Sequence, residues 1–152
     1  MIFQKRVAGL TEPALNRFIA RTRRTLGLHG TVNVLVTSSR DMRLLNRQFR
    51  RKDTATDVLS FPAAPGLENR CVGEIAICAD IAADNAKALG HPIAAEIKIL
   101  ALHGLLHLKG YDHETDDGRM AQREARLRHQ FRLPLGLIER TNGAGSRRRR
   151  RA

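Results

Sequence analysis

Residues 103–113 read HGLLHLKGYDH. His103 and His107 stand at i and i+4, so on a helix both rings leave the same face. Two imidazoles one turn apart can share a cation at Zn–N distances of about 2.0–2.1 Å. Gly110 interrupts the helix three residues later and lets the chain turn back, which brings His113 within reach as a third ligand. A lone histidine on an apolar helix is more often a hydrogen-bonded core residue than a ligand. Two imidazoles left unpaired in so apolar a helix, however, cost free energy. Three protein ligands with an open fourth position describe a catalytic rather than a closed structural zinc site, with one zinc expected per chain.

The same spacing, glycine included, occurs in the HExxHxxGxxH metzincin proteases. Those enzymes use the glutamate after the first histidine as general base, and that position here is Gly104. A glycine accepts no proton. The ligand scaffold is therefore zincin-like, while a zinc peptidase is the least favoured reading.

Together with FRRKDTATDVLSFP at 49–62, the histidine motif resembles the YbeY family of bacterial rRNA maturation factors, and the likeness spans roughly residues 31–130. The histidines match the HGxLHLxGYDH pattern at every fixed position, and TDVLSFP at 56–62 matches as well. The resemblance implies a single-metal, single-strand-specific endoribonuclease acting in 16S rRNA maturation and ribosome quality control. It also implies zinc on His103, His107 and His113, a catalytic Arg50, and ribosomal RNA or the small ribosomal subunit as partner. Protein partners in ribosome assembly are compatible with it. A ribosome-assembly factor that binds RNA around a mainly structural metal is the alternative from another class.

The residues make their own case for Arg50. On the helix read after Ser39, Arg40, Arg43, Arg47 and Arg50 lie opposite Met42, Leu45 and Phe49, and Arg51 and Lys52 extend the basic stripe. Guanidinium groups bind phosphate bidentately and stabilise charge that develops in phosphoryl transfer. A solvated helix face is the ordinary fate of such a stripe, which leaves Arg43, Arg47, Arg51 and Lys52 as RNA-contact candidates only. Arg50 stands at the junction into a loop, where functional residues concentrate. Asp112, Glu124 and Glu74 are candidates to orient the histidines, since metal-bound imidazoles usually donate their second N–H to a carboxylate or carbonyl. Each is equally readable as a surface acid or a local ion pair. No general base is identified, and zinc, which can bring the pKa of water to about 7, need not have one. With aromatics at 4% and only Tyr111 and Phe61 near the motif, a base-stacking platform is weakly supported.

The elements that position these groups follow from periodicity and turn residues. Thr11, Glu12 and Pro13 start a helix that Gly27 ends, with Arg17, Arg21 and Arg24 opposite its apolar face. Residues 31–37, 57–61 and 71–78 read as strands, and 79–89, 92–108 and 116–131 as helices, the 92–108 helix apolar nearly all round and so central. The loop at 63–70 reads as mobile, and residues 141–152, with Arg147 to Arg151, as a disordered tail. The expectation is one α+β (mixed α/β) domain over 1–140, with a small mixed sheet packed on the metal-binding helix and flanking helices.

Composition agrees with this reading. The 152 residues carry a net charge of +12, and without the five tail arginines the balance is still 22 basic against 15 acidic residues, or +7. Such a body favours a polyanionic partner. No stretch reaches the ~20 apolar residues of a membrane span, and the first residues lack the apolar block of a secretory signal. Cys71 and Cys78, an odd seven apart on one strand and roughly 23 Å from each other by strand rise, cannot form a disulfide. Cytoplasm is the expected location. Oligomeric state is not readable.

Overall fold

The computed structural model describes residues 1–66 and 70–140. The elements run β1 (Ile2–Phe3), α1 (Glu12–Thr25), β2 (Thr31–Thr37), α2 (Ser39–Arg50), β3 (Val58–Pro62), β4 (Cys71–Cys78), α3 (Ala79–Leu89), α4 (Ile93–Lys109) and α5 (Arg119–Gln130). The four strands form one mixed sheet in the order β1-β2-β4-β3, with β2 parallel to both β1 and β4, and β3 antiparallel to β4. This is the mixed α/β domain expected, with α4 at its centre. Ile97, Leu100, Ala101, Leu102, Leu105 and Leu106 on α4 are each no more than 1% exposed, and they pack on Val34, Val36, Ile75 and Ile77 of the sheet with α1 and α5 alongside.

Gly104 explains how closely α4 lies on the sheet. A Cβ there would stand 3.1 Å from two Ile75 methyl carbons and from Ser60 Oγ, and Ser60 Oγ donates to the Gly104 carbonyl at 3.2 Å. The position occupied by a catalytic glutamate in metzincins is here a seam between helix and sheet, where a side chain would crowd Ile75 and Ser60.

The other sheet face is covered in part. Met42 of α2 is fully buried against Leu59, Ala76 and Cys78. Leu45 is half-buried, and Phe49, expected in the same buried stripe, is 56% exposed. The last turn of α2 carries Phe49 outward to meet Phe61 edge-on at 5.2 Å. Both cysteines are free. Residues 67–69 of the 63–70 loop and the whole 141–152 tail lie outside the described residues. Among the described residues no single helix is long and apolar enough to cross a membrane.

Candidate active site

The site is built at the C-terminal end of α4. His103 is buried, His107 half-buried and His113 exposed, so the cluster grades from core to solvent over ten positions. Gly110 ends the helix with φ +108°, and the chain doubles back through Tyr111 and Asp112 to His113. Ring centroids are 4.8 Å apart for His103 and His107, 5.5 Å for His103 and His113, and 5.6 Å for His107 and His113. One ring nitrogen from each lies within 4.8 Å of the other two.

Hydrogen bonding fixes which nitrogens converge. His103 Nδ1–H donates to Glu124 Oε2 at 2.8 Å, and His107 Nδ1–H donates to the Tyr111 carbonyl at 3.1 Å. A carboxylate and a carbonyl only accept, so both protons sit on Nδ1. Both Nε2 atoms then present lone pairs, and they face each other at 3.2 Å. Two acceptors at that distance repel unless a cation lies between them. Burial first, and then the nearby His103, hold His107 below the ordinary imidazole range, which keeps its lone pair available at neutral pH. The residues present fit a divalent metal ion of zinc type, whose histidine ligands characteristically have the second nitrogen anchored.

Glu124, one of the three candidate acids, is the one the fold delivers. It is fully buried, and its second oxygen accepts the Ile138 N–H at 2.9 Å. Asp112 lines the cleft, but its carboxylate accepts the Glu114 N–H at 3.1 Å and closes the local turn. Glu74 is exposed on the opposite face of the sheet, beside Leu45 and Phe61. Sequence reasoning did not single out two contributors: the Tyr111 carbonyl and the Ile138 N–H are main-chain groups, and residue type does not announce them.

A cleft of about 730 Å³ opens beside the histidines, lined by Arg50, Lys52, Ser60, all three histidines and Leu137. Arg50 reaches it from the last turn of α2. Its Nη2 donates to the Ser60 carbonyl at 2.7 Å and its guanidinium lies 5.7 Å from the centre of the Phe61 ring. Ser60, which also fixes Gly104, thus ties the arginine to the metal helix. Of the other basic candidates only Lys52 lines the cleft. Arg43 is held bidentately by Asp53 at 2.8 and 2.9 Å, an exposed pair in which the Asp53 carboxyl is lowered and the Arg43 guanidinium raised by their mutual hydrogen bond. Arg47 is exposed, and Arg51 is the left-handed cap of α2 at φ 56°.

Comparison with known proteins gives the family. The family profile described as Endoribonuclease YbeY matches residues 2–132. A Koribacter versatilis protein named Endoribonuclease YbeY is 52% identical over 141 residues, 93% of this chain and 91% of its own. One of the same name from Solibacter usitatus is 48% identical over 139 residues, 91% of each chain. A solution structure from Thermotoga maritima superposes with a TM-score of 0.60 at 28% identity, covering 86% of this chain and 89% of that one. On the profile, the relatives and the shared fold, the chain belongs to the YbeY endoribonuclease family.

Proposed function

We propose that this protein is a zinc-dependent, single-strand-specific endoribonuclease that acts in the cytoplasm on ribosomal RNA of the small subunit, in 16S maturation and ribosome quality control. The observation that carries the reading is the pair of Nε2 lone pairs turned on each other at 3.2 Å, with an arginine in the same cleft. When bound, zinc supplies Lewis acidity: it polarises a phosphoryl oxygen and brings the pKa of water to about 7. The chain's own groups do the rest. Glu124 and the Tyr111 carbonyl keep His103 and His107 turned inward. Arg50, steadied by Ser60 and Phe61, offers its guanidinium to the phosphoryl oxygens as they gain charge. Lys52 draws the RNA backbone into the cleft. Peptide hydrolysis is disfavoured because Gly104 supplies no general base at the position where metzincins carry one.

The test is single-turnover cleavage of precursor 16S rRNA by the metal-loaded protein, with His113→Ala and metal-stripped protein beside it and zinc measured in each. Discrete products from the loaded protein alone are expected. Equal cleavage by all three would sink the reading, and tight RNA binding with no cleavage by any would favour the assembly factor with a structural metal.

A further inference from the structure

α1 and α5, both packed on α4, run antiparallel and meet at two points, and the seam between them is arginine-rich on both sides. The pairing is fixed at two points. Phe18 meets Phe131 edge-on at 5.4 Å, and Arg123 Nη2 donates to the Thr25 carbonyl at 3.4 Å. On α1, Arg17, Arg21 and Arg24 stand at i, i+4 and i+7, and on α5 so do Arg119, Arg123 and Arg126, so each set follows one side of its helix. Arg21 and Arg123 locate those sides. The Arg21 guanidinium lies 4.7 Å from the Phe131 ring centre, and Arg123 reaches α1.

Among the described residues no carboxylate pairs with this face. α1 has one acid, Glu12, which accepts the Phe3 N–H, and α5 has one, Glu124, buried beneath the metal site. Among the described residues none of the six arginines has a carboxylate partner, in contrast to Arg128, which pairs with Glu139 at 2.6 Å. Arg123 Nε is buried without a hydrogen-bond partner. Like charges gathered in this way repel, and a buried unpaired donor costs further. The repulsion falls when a polyanion lies along the seam. Lys109 joins one end: it closes α4, two residues after His107, and its Nζ approaches Gly27 just beyond α1.

We propose that the α1–α5 seam is a second binding surface for RNA, taking the sugar-phosphate backbone of a single strand as it leaves the metal cleft past Lys109. The cleft reading contributes only the identity of the polyanion, and binding is measured separately from cleavage. In the whole 152-residue chain, Arg17→Glu/Arg126→Glu reverses one exposed arginine on each helix, neither of which makes a side-chain hydrogen bond among the described residues. Arg6→Glu/Lys87→Glu makes the same change in net charge at exposed sites outside both helices. Fluorescence anisotropy with a labelled 24-nucleotide single strand is followed from low to high salt, with cleavage of a six-nucleotide substrate and circular dichroism in parallel. The seam variant is expected to bind the 24-mer at least about tenfold more weakly, with a log–log salt slope shallower by about 1.4 for two lost contacts. Its folding and six-mer cleavage should match wild type, and the control variant should bind the 24-mer nearly as wild type does. Unchanged affinity in the seam variant, or equal weakening in the control, would overturn the proposal. A protein that binds the 24-mer through the seam yet cuts no RNA would refute the nuclease reading and leave this one standing.

Discussion

The α-carbon of Gly136 faces the Glu124 carboxyl group so closely that a Cβ on Gly136 would collide with it. Glu124 is therefore clasped from behind, while its two oxygens hold Ile138 N–H and His103 Nδ1–H. Gly136→Ala should push the carboxylate off the His103 ring. Loss of such an outer hydrogen bond typically weakens metal binding 10–100-fold, and that range is expected in a chelator-competition titration with zinc. Wild-type affinity in the variant would show that Glu124 does not orient the ligand.

His107→Ala should abolish stoichiometric zinc and lower the melting temperature, because a metal that binds only the native state stabilises it by mass action. Chelator should lower the wild-type melting temperature in the same way and leave the variant unmoved. Elemental analysis finding one zinc in His107→Ala would contradict the assignment.

Arg50→Ala should reduce the single-turnover rate at saturating enzyme by about 10²-fold, the usual loss for one preorganised donor aimed at developing charge. Arg50→Lys keeps the charge but not the planar fork, so rescue should be partial. Arg43→Ala should leave that rate alone, since Arg43 is engaged by Asp53 at the surface. A wild-type rate in Arg50→Ala, with zinc content equal, would make Arg50 a binding residue.

Gly104→Ala inserts a methyl group into the seam against Ile75 and Ser60 and should destabilise the fold by about 1–3 kcal/mol, as overpacked cores do. Denaturant unfolding measures it. Gly104→Glu, which restores the metzincin letter, should yield poorly folded protein without peptidase activity. A folded, proteolytic Gly104→Glu would show that the letter alone had set the chemistry.

Acid should unfold the protein partly through two carboxylates. The Ser39 N–H and then Lys5 hold Asp80 below its usual range, and Arg128 does the same for Glu139. Their unfolded values are about 3.9 and 4.3. As pH falls, the unfolded chain takes up these protons first, so the stability they give is complete above about pH 5 and is lost as pH drops through the lower folded values. Glu139→Gln removes the charge partner of Arg128 and should flatten the stability curve between about pH 5 and 3. Urea unfolding across that range that is superimposable for the two proteins would exclude the contribution.

Much of this architecture was legible before any coordinates. β2, β4 and α3 span the ranges their residues predict, because β-branched runs and glycine or proline stops act locally. Ends are less legible where two residues compete for one role. Ser38, not Ser39, caps α2 by accepting the Asp41 N–H, and α5 starts at Arg119, after Asp116 accepts the Gly118 and Met120 N–H groups. β1 is two residues long and exists only through pairing with β2, which no local pattern encodes. In the site, spacing was enough for the three histidines because they lie on one helix and the turn after it. Choosing Glu124 over Asp112 required knowing that α5 packs across α4, a tertiary fact.

The three histidines, and the Tyr111 carbonyl that braces His107, fall within one short stretch of chain, whereas Glu124, which braces His103, and Ile138, which braces Glu124, stand 21 and 35 residues beyond His103. Contacts close in sequence form before distant ones, and a loop of about ten residues closes in roughly 10–100 ns. During synthesis at about 5–20 residues per second, His113 leaves the ribosome at least a second before Ile138. The order of the chain thus separates the gathering of the three imidazoles from their final alignment: an emerging chain can bring the rings together before the docking of its last turns sets the angle of His103.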